Sequence, residues 1–194
     1  MAPTAGSEFL PDCRAPAAQR CRWRRELLPL RVARRLRCPP LVSEDQPPLL
    51  VEATCELEAE PSEVFALIGD HASLPRWIPG LRRVEVDESR ALSPRGVGTR
   101  RTLRMLLGSP GVEVITAFEP PARLAYSATD ESLRGLCTGH IAELSCAACG
   151  TGTRLRWTVR AQPSHSWWKR IVARLMFNLA CRAGLRNLRR QFRR

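Results

Sequence analysis

Val51-Glu52-Ala53-Thr54-Cys55-Glu56-Leu57-Glu58 and, two residues on, Pro61-Ser62-Glu63-Val64-Phe65-Ala66-Leu67-Ile68-Gly69 form the stretch on which the fold turns. In the first part, Val51, Ala53, Cys55 and Leu57 alternate with Glu52, Thr54, Glu56 and Glu58. That period of two marks a strand, about Leu50 to Glu58, with one buried and one charged face. In the second, Pro61 takes a helix's first position, where a missing N–H costs nothing, and Glu63 suits the positive end of the dipole. Val64, Phe65, Leu67 and Ile68 give a buried side, and Gly69 ends the helix. A strand thus runs directly into a short helix.

Working outward, a short turn-rich helix is expected from His71 to Leu74, and Trp77-Ile78-Pro79-Gly80 turns the chain into a strand at Leu81 to Val86. Further strands are expected at Gly98 to Leu107, Val112 to Glu119, Arg123 to Thr129, Cys137 to Ser145 and Thr153 to Ala161. The loops between them are short and rich in Gly and Pro (Gly108 to Gly111, Pro120-Pro121, Cys149 to Gly152), so neighbouring strands pair antiparallel. One long helix, Trp167 to Phe192, closes the chain, with Ser164 or Ser166 as its cap. Its apolar stripe reads as Trp168, Val172, Leu175, Met176 and Leu179. Leu185, Leu188 and Phe192 fall on another side, so a bend or a change of contacts is expected near Gly184. A single helix following many strands buries its stripe by lying across the concave face of a curled sheet, which makes the class α+β. The gap between sheet and helix is a natural pocket for a small molecule.

Composition bounds the function. The chain has 194 residues, enough for one domain with tails, and a formal charge of +12. The charge is uneven: about +6 up to Leu41, about −3 from Val42 to Trp167, and about +9 beyond it. A slightly acidic body lacks the basic groove of a nucleic-acid reader, so no nucleic-acid partner is expected. The closing segment, with nine cations and no acid, could instead rest on an anionic membrane. No stretch is apolar enough to span a bilayer, and no signal peptide is evident; Glu8, Asp12 and Glu26 weaken a transit-peptide reading of Arg22 to Arg37. A cytoplasmic protein, peripheral to the membrane at most, with reduced thiols is therefore expected. Cys146-Ala-Ala-Cys149 has zinc-knuckle spacing, but no second pair lies nearby, so a hairpin turn with Gly150 and Gly152 is the simpler reading. No metal or cofactor is expected. Residues 1–48 form a separate Pro- and Arg-rich extension, expected to be disordered. Alternatives within it are a basic amphipathic helix at Trp23 to Arg37, interrupted by Pro29, and translation beginning at Val42. The domain proper covers residues 49–194.

Several pieces carry a family likeness: Glu60-Pro61-Ser62-Glu63-Val64-Phe65, Asp70 through Trp77-Ile78-Pro79-Gly80, and Val97-Gly98-Thr99-Arg100-Arg101. They continue with Glu113-Val114-Ile115-Thr116, Phe118-Glu119-Pro120-Pro121, Leu124-Ala125-Tyr126 and Gly152-Thr153-Arg154-Leu155-Arg156-Trp157. In order and spacing the run Val51 to Leu188 resembles the START/polyketide-cyclase (SRPBCC) superfamily, and within it the bacterial polyketide cyclase/dehydrase-like branch. The resemblance implies a helix-grip fold: a curved seven-stranded antiparallel sheet gripping the C-terminal helix, with two short helices between the first two strands. It also implies a cavity for apolar ligands, in a superfamily that includes cyclases, aromatases and lipid carriers. Such membership does not settle function.

Alternation nominates the cavity lining. Thr99, Arg101, Leu103 and Met105 form the inward set of their strand, which puts an arginine among hydrophobes. Its obvious partner is Glu113 on the next strand. Two readings stay open: Arg101 anchors a carboxylate, enolate or phenolate of the ligand, or it only bridges Glu113. The second gains weight because apolarity on that next strand favours Val112, Val114 and Thr116 as the inward set. His140 alternates with Ala142 and Leu144, so it either faces the cavity as a general base or is a satisfied structural residue. Tyr126 offers a ring and a hydroxyl, either as core or towards a ligand. Trp157 reads first as packing, as does Trp77. With Leu175 and Leu179, the residues Arg101, Glu113, Tyr126, His140 and Trp157 make up the expected ligand-binding set. Binding or carriage of an apolar small molecule (lipid, quinone or polyketide-like) is the primary expectation, and a polyketide cyclase/dehydrase-type enzyme the alternative. Nucleic-acid or membrane-surface binding through the basic termini comes last.

Overall fold

A computed structural model describes residues 46–193. The expectations for the N-terminal extension, including the Trp23 to Arg37 helix and the Val42 start, lie outside the described residues.

The strands are β1 (Leu49–Leu57), β2 (Leu81–Asp87), β3 (Arg100–Met105), β4 (Gly111–Glu119), β5 (Arg123–Ala128), β6 (Cys137–Cys149) and β7 (Gly152–Pro163). They form one antiparallel sheet in the order β1-β7-β6-β5-β4-β3-β2. From β2 to β7 the sheet is a meander, and β1 returns to pair with β7. Helix α1 (Pro61–Ile68) and a 3₁₀ helix at His71–Arg76 lie between β1 and β2, and α2 (Trp167–Gln191) follows β7. This is the helix-grip architecture that the resemblance implied.

Local chemistry fixes the elements that border the cavity. At the start of α1 the Glu63 carboxylate accepts from the Glu60 N–H at 3.2 Å, so an orphan donor of the helix entry is satisfied. Asp70 caps the 3₁₀ helix by accepting from the Ala72 N–H. Gly80, at φ 74°, takes the left-handed conformation that turns the chain into β2. These two joints set Trp77 and Ile78 against the open end of the sheet. The core beneath contains Val51, Val64, Phe65, Ile68, Leu74, Ile115, Leu124, Leu155 and Leu188.

Three sequence expectations change. The first is the orientation of α2. Leu175 and Leu179 are 58% and 67% exposed, and Trp168, Val172 and Met176 are also exposed. The face turned to the sheet carries Ala173, Cys181, Gly184, Leu185 and Leu188. The helix runs unbroken past Gly184, where an added Cβ would lie 3.0 Å from Trp157 Cζ3. Close approach to the sheet demands small side chains, so the more hydrophobic stripe is the wrong guide.

The second is the register of β4. Glu113 and Ile115 face inward, whereas Val112 and Val114 are half-buried and Thr116 is exposed. The pairing with β5 shifts between Ile115 and Ala117, a bulge that breaks simple alternation. The third is the length of β6, which continues through Cys146 to Cys149 before the Gly150 turn. Cys146 is buried there, and burial pushes its thiol up to about 11.

Candidate functional site

A cavity of about 230 Å³ lies between α2 and the inner face of the sheet. The strands contribute Arg101, Leu103 and Met105 from β3, Glu113 from β4, Tyr126 from β5, His140 from β6, and Trp157 and Val159 from β7. Leu74, Trp77 and Ile78 close one end, and Met176, Phe177, Ala180 and Cys181 of α2 form the roof. Five of the seven expected residues therefore converge. Leu175 and Leu179 do not, because they sit on the outer face of α2. The roof falls to Met176, which the sequence placed in the apolar stripe, and to Phe177, Ala180 and Cys181, which sequence reasoning missed. The available signal was the small-residue spacing Ala173, Ala180 and Gly184, which marks the face able to approach a sheet.

The wall is apolar with a polar cluster at its centre. Arg101 is 3% exposed and donates from Nε to Glu113 Oε2 at 2.6 Å. Strand register explains the pair, since Arg101 and Glu113 stand directly opposite each other on β3 and β4. The guanidinium carbon also lies 4.3 Å from the centre of the Tyr126 ring, a cation–π contact. Arg101 bridges Glu113 and also lines the cavity, so the bridge leaves the guanidinium within reach of a ligand. Burial raises the Tyr126 phenol well above its ordinary value, and the Glu113 charge pushes the same way, so the hydroxyl is protonated at neutral pH. The Trp157 N–H acts on Tyr126 weakly in the opposite sense, but the two groups are outside hydrogen-bonding geometry.

His140 has a defined tautomer. Its Nδ1 accepts from the Ala128 N–H at 3.1 Å, and its ring stacks on Phe177 at 5.3 Å. Burial, helped by the charge of Arg101, lowers its pKa to about 4. The neutral ring therefore carries its proton on Nε2 and can only donate from that atom. Trp77 and Trp157 meet edge-to-face at 5.8 Å, and both indole N–H groups are buried with no acceptor among the described residues. Buried donors of this kind ordinarily have a partner. Both indole nitrogens are sealed in packing, so the donors that the cavity collects are those of Arg101, Tyr126 and His140, while Glu113, the one carboxylate among its described lining residues, is already engaged. Among the described residues no group of three His, Cys, Asp or Glu converges as a metal site.

The family model described as polyketide cyclase / dehydrase and lipid transport matches residues 48–193. Uncharacterized proteins of Mycobacterium tuberculosis and Mycobacterium bovis are 33% identical over 147 residues, which is 74% of this chain and 84% of theirs. Among solved structures, the protein XoxI from Bacillus cereus aligns with a TM-score of 0.60 at 20% identity, covering 73% of this chain and 94% of its own. A protein from Thermobifida fusca gives 0.61 at 21% identity, over 73% and 91%. The di-domain ARO/CYC StfQ from the steffimycin biosynthetic pathway gives 0.59 at 15% identity, over 73% of this chain and 49% of its own. At these identities the structural likenesses speak for the fold alone.

Proposed function

Because the chain belongs to the polyketide cyclase/dehydrase and lipid-transport family, we propose that it binds and carries a small apolar molecule bearing acceptor oxygens, such as a carboxylate, enolate, phenolate or quinone carbonyl. The observation that carries this reading is the imbalance inside the cavity. Arg101, protonated Tyr126 and the His140 Nε2–H line it, and Glu113, the one carboxylate among its described lining residues, is tied to Arg101. A ligand oxygen would satisfy groups that the protein leaves unsatisfied. The apolar remainder would fill the space between Leu103, Val159, Met176 and Phe177.

Size narrows the class. At about 230 Å³ the cavity is smaller than the roughly 300–1,000 Å³ usual for drug-sized ligands. One or two rings fit this space; a whole phospholipid needs α2 or the mouth to move.

Carriage is favoured over cyclisation by the state of His140. A general base for an aldol-type ring closure needs a free lone pair at hydrogen-bond reach of the substrate. The Nδ1 lone pair of His140 is taken by the Ala128 N–H, and a pKa of about 4 makes a weak base. Native mass spectrometry of the full chain purified from its own cells tests the proposal. A co-purifying small molecule with an oxygen function and an apolar body is the expected result. Stoichiometric turnover of a poly-ketone chain to a cyclised product by the same preparation would overturn carriage in favour of catalysis.

A further inference from the structure

The outer face of α2 is unusual for a helix on a sheet. Trp167, Trp168, Ile171, Leu175 and Leu179 are each at least half exposed, and Trp167 reaches 72%. Residues seven apart share a helix face, and Arg182 and Arg186 follow Leu175 and Leu179 at that spacing, with Arg189 seven beyond Arg182. One surface therefore passes from an apolar first half to an arginine-rich second half. The helix has no acidic residue, and among the described residues no carboxylate forms an ion pair with its cations. Arg182, Arg186 and Arg189 also border a surface cleft of about 460 Å³ against Ala53 and Cys55 of β1. The carboxylate at its rim, Glu52, is held by Arg156 at 2.8 Å.

The apolar half adjoins the cavity. Met105 and Met176 both line it and are still 38% and 41% exposed, so the mouth opens between the end of β3 and the middle of α2. Beyond Met105, Leu106 and Leu107 stand out to solvent on the β3–β4 turn, 67% and 90% exposed. Apolar side chains thus flank the opening on both sides.

We propose that this surface docks on an anionic lipid bilayer, with the Trp167–Leu179 half and the Leu106–Leu107 turn in the interface and the arginines on lipid phosphates, so that the cavity mouth opens onto the membrane. Charge selects this occupant. A second copy meeting the apolar half about a two-fold axis would leave Arg182, Arg186 and Arg189 without any counter-charge, and the first 41 residues of the chain add about +6 of their own. An anionic bilayer complements both halves at once, since tryptophans favour the headgroup region and arginines the phosphates. The inference rests on the carriage reading, giving an apolar ligand a route between lipid and cavity.

Sedimentation of the full chain with vesicles tests it, using pure phosphatidylcholine and phosphatidylcholine mixed with phosphatidylglycerol at moderate salt. The wild type is expected on the phosphatidylglycerol vesicles and not on the neutral ones. Leu175→Ser with Leu179→Ser, and separately Arg182→Glu with Arg186→Glu, are each expected to lower partitioning by at least about tenfold. Melting curves and naphthoate binding are expected to stay as in wild type. Equal binding to both vesicles, no binding, or double variants that bind like wild type would overturn the proposal. A dimer by ultracentrifugation that the leucine variant dissociates would assign the face to a second copy. A melt lowered by several degrees in that variant would assign it to packing within the chain. Naphthoate binding retained while vesicle binding fails would sink the membrane inference and leave carriage standing, whereas wild type unable to bind naphthoate would sink carriage.

Discussion

Arg101 Nε lies 2.6 Å from Glu113 Oε2, and the pair is held side by side across β3 and β4 at the cavity wall. Both side chains are largely out of water, at 3% and 13% exposure. An ion pair in such a place need not stabilise the fold relative to an apolar pair, but removing one partner strands the other. The pair fixes the guanidinium over Tyr126, leaving the rest of its donors for a ligand.

Arg101→Met should therefore do two things. Stranding Glu113 should cost about 3 kcal/mol in urea unfolding. Affinity for an anionic ligand should fall roughly ten- to a hundredfold, as expected for a lost charge-assisted bond. Adding Glu113→Gln should restore most of the stability and none of the affinity. If the double variant recovers binding, Arg101 acts only as a bridge.

The α2 orientation gives a sharp contrast between two leucines. Leu175→Asp should change the melt by no more than about 1 kcal/mol, since Leu175 faces solvent. Leu188→Asp, at a site with no exposure, should abolish cooperative folding, because an unpaired buried charge costs as much as a domain's whole stability. Reversal of these outcomes would mean that the helix is rotated by half a turn of its face.

Much of the fold was legible because it rests on local rules. The alternation of Val51 to Leu57, Pro61 opening α1 and the Gly-rich turns each point to one element, and those elements stand. The inward set of β3 was equally legible, and Arg101 lines the cavity as alternation required. What failed depends on tertiary geometry. Which face of α2 meets the sheet is decided by backbone approach at Gly184 and Ala173, not by hydrophobicity, and so Leu175 and Leu179 misled. The bulge after Ile115 has no signature in Val112 to Phe118, so apolarity there pointed to the wrong set.

Gly184 offers a direct check on that close approach. Gly184→Val would press a branched side chain into the Trp157 ring, whose Cζ3 already stands 3.0 Å from an ideal Cβ, and Ile78 Cδ1 lies at 3.7 Å. Overpacking of this kind costs roughly 1–3 kcal/mol, and the β-branch adds to it within a helix. A variant as stable as wild type would show that α2 stands further from β7.

Acid should weaken the fold through its buried histidines. His140 is held neutral, with a pKa of about 4 in the fold against about 6.5 unfolded. Between these values the unfolded chain binds the extra proton, so stability is full above about pH 6.5 and falls towards pH 4, by roughly 3 kcal/mol in all. His71, lowered by burial and by Arg101, acts in the same direction. His140→Phe should remove much of this slope in unfolding measured from pH 7 to pH 4.5. An unchanged slope would mean that His140 is free to charge in the native state.

The most direct measurement of ligand carriage is calorimetric titration of the full chain with naphthoate and with naphthalene, alongside Ala180→Phe. Naphthoate should bind at one site, roughly ten- to a hundredfold more tightly than naphthalene, because only it offers acceptors to Arg101 and its neighbours Tyr126 and His140. Ala180→Phe, which fills the cavity from its roof, should abolish both. Binding that survives Ala180→Phe, or an equal affinity for the two compounds, would contradict the account.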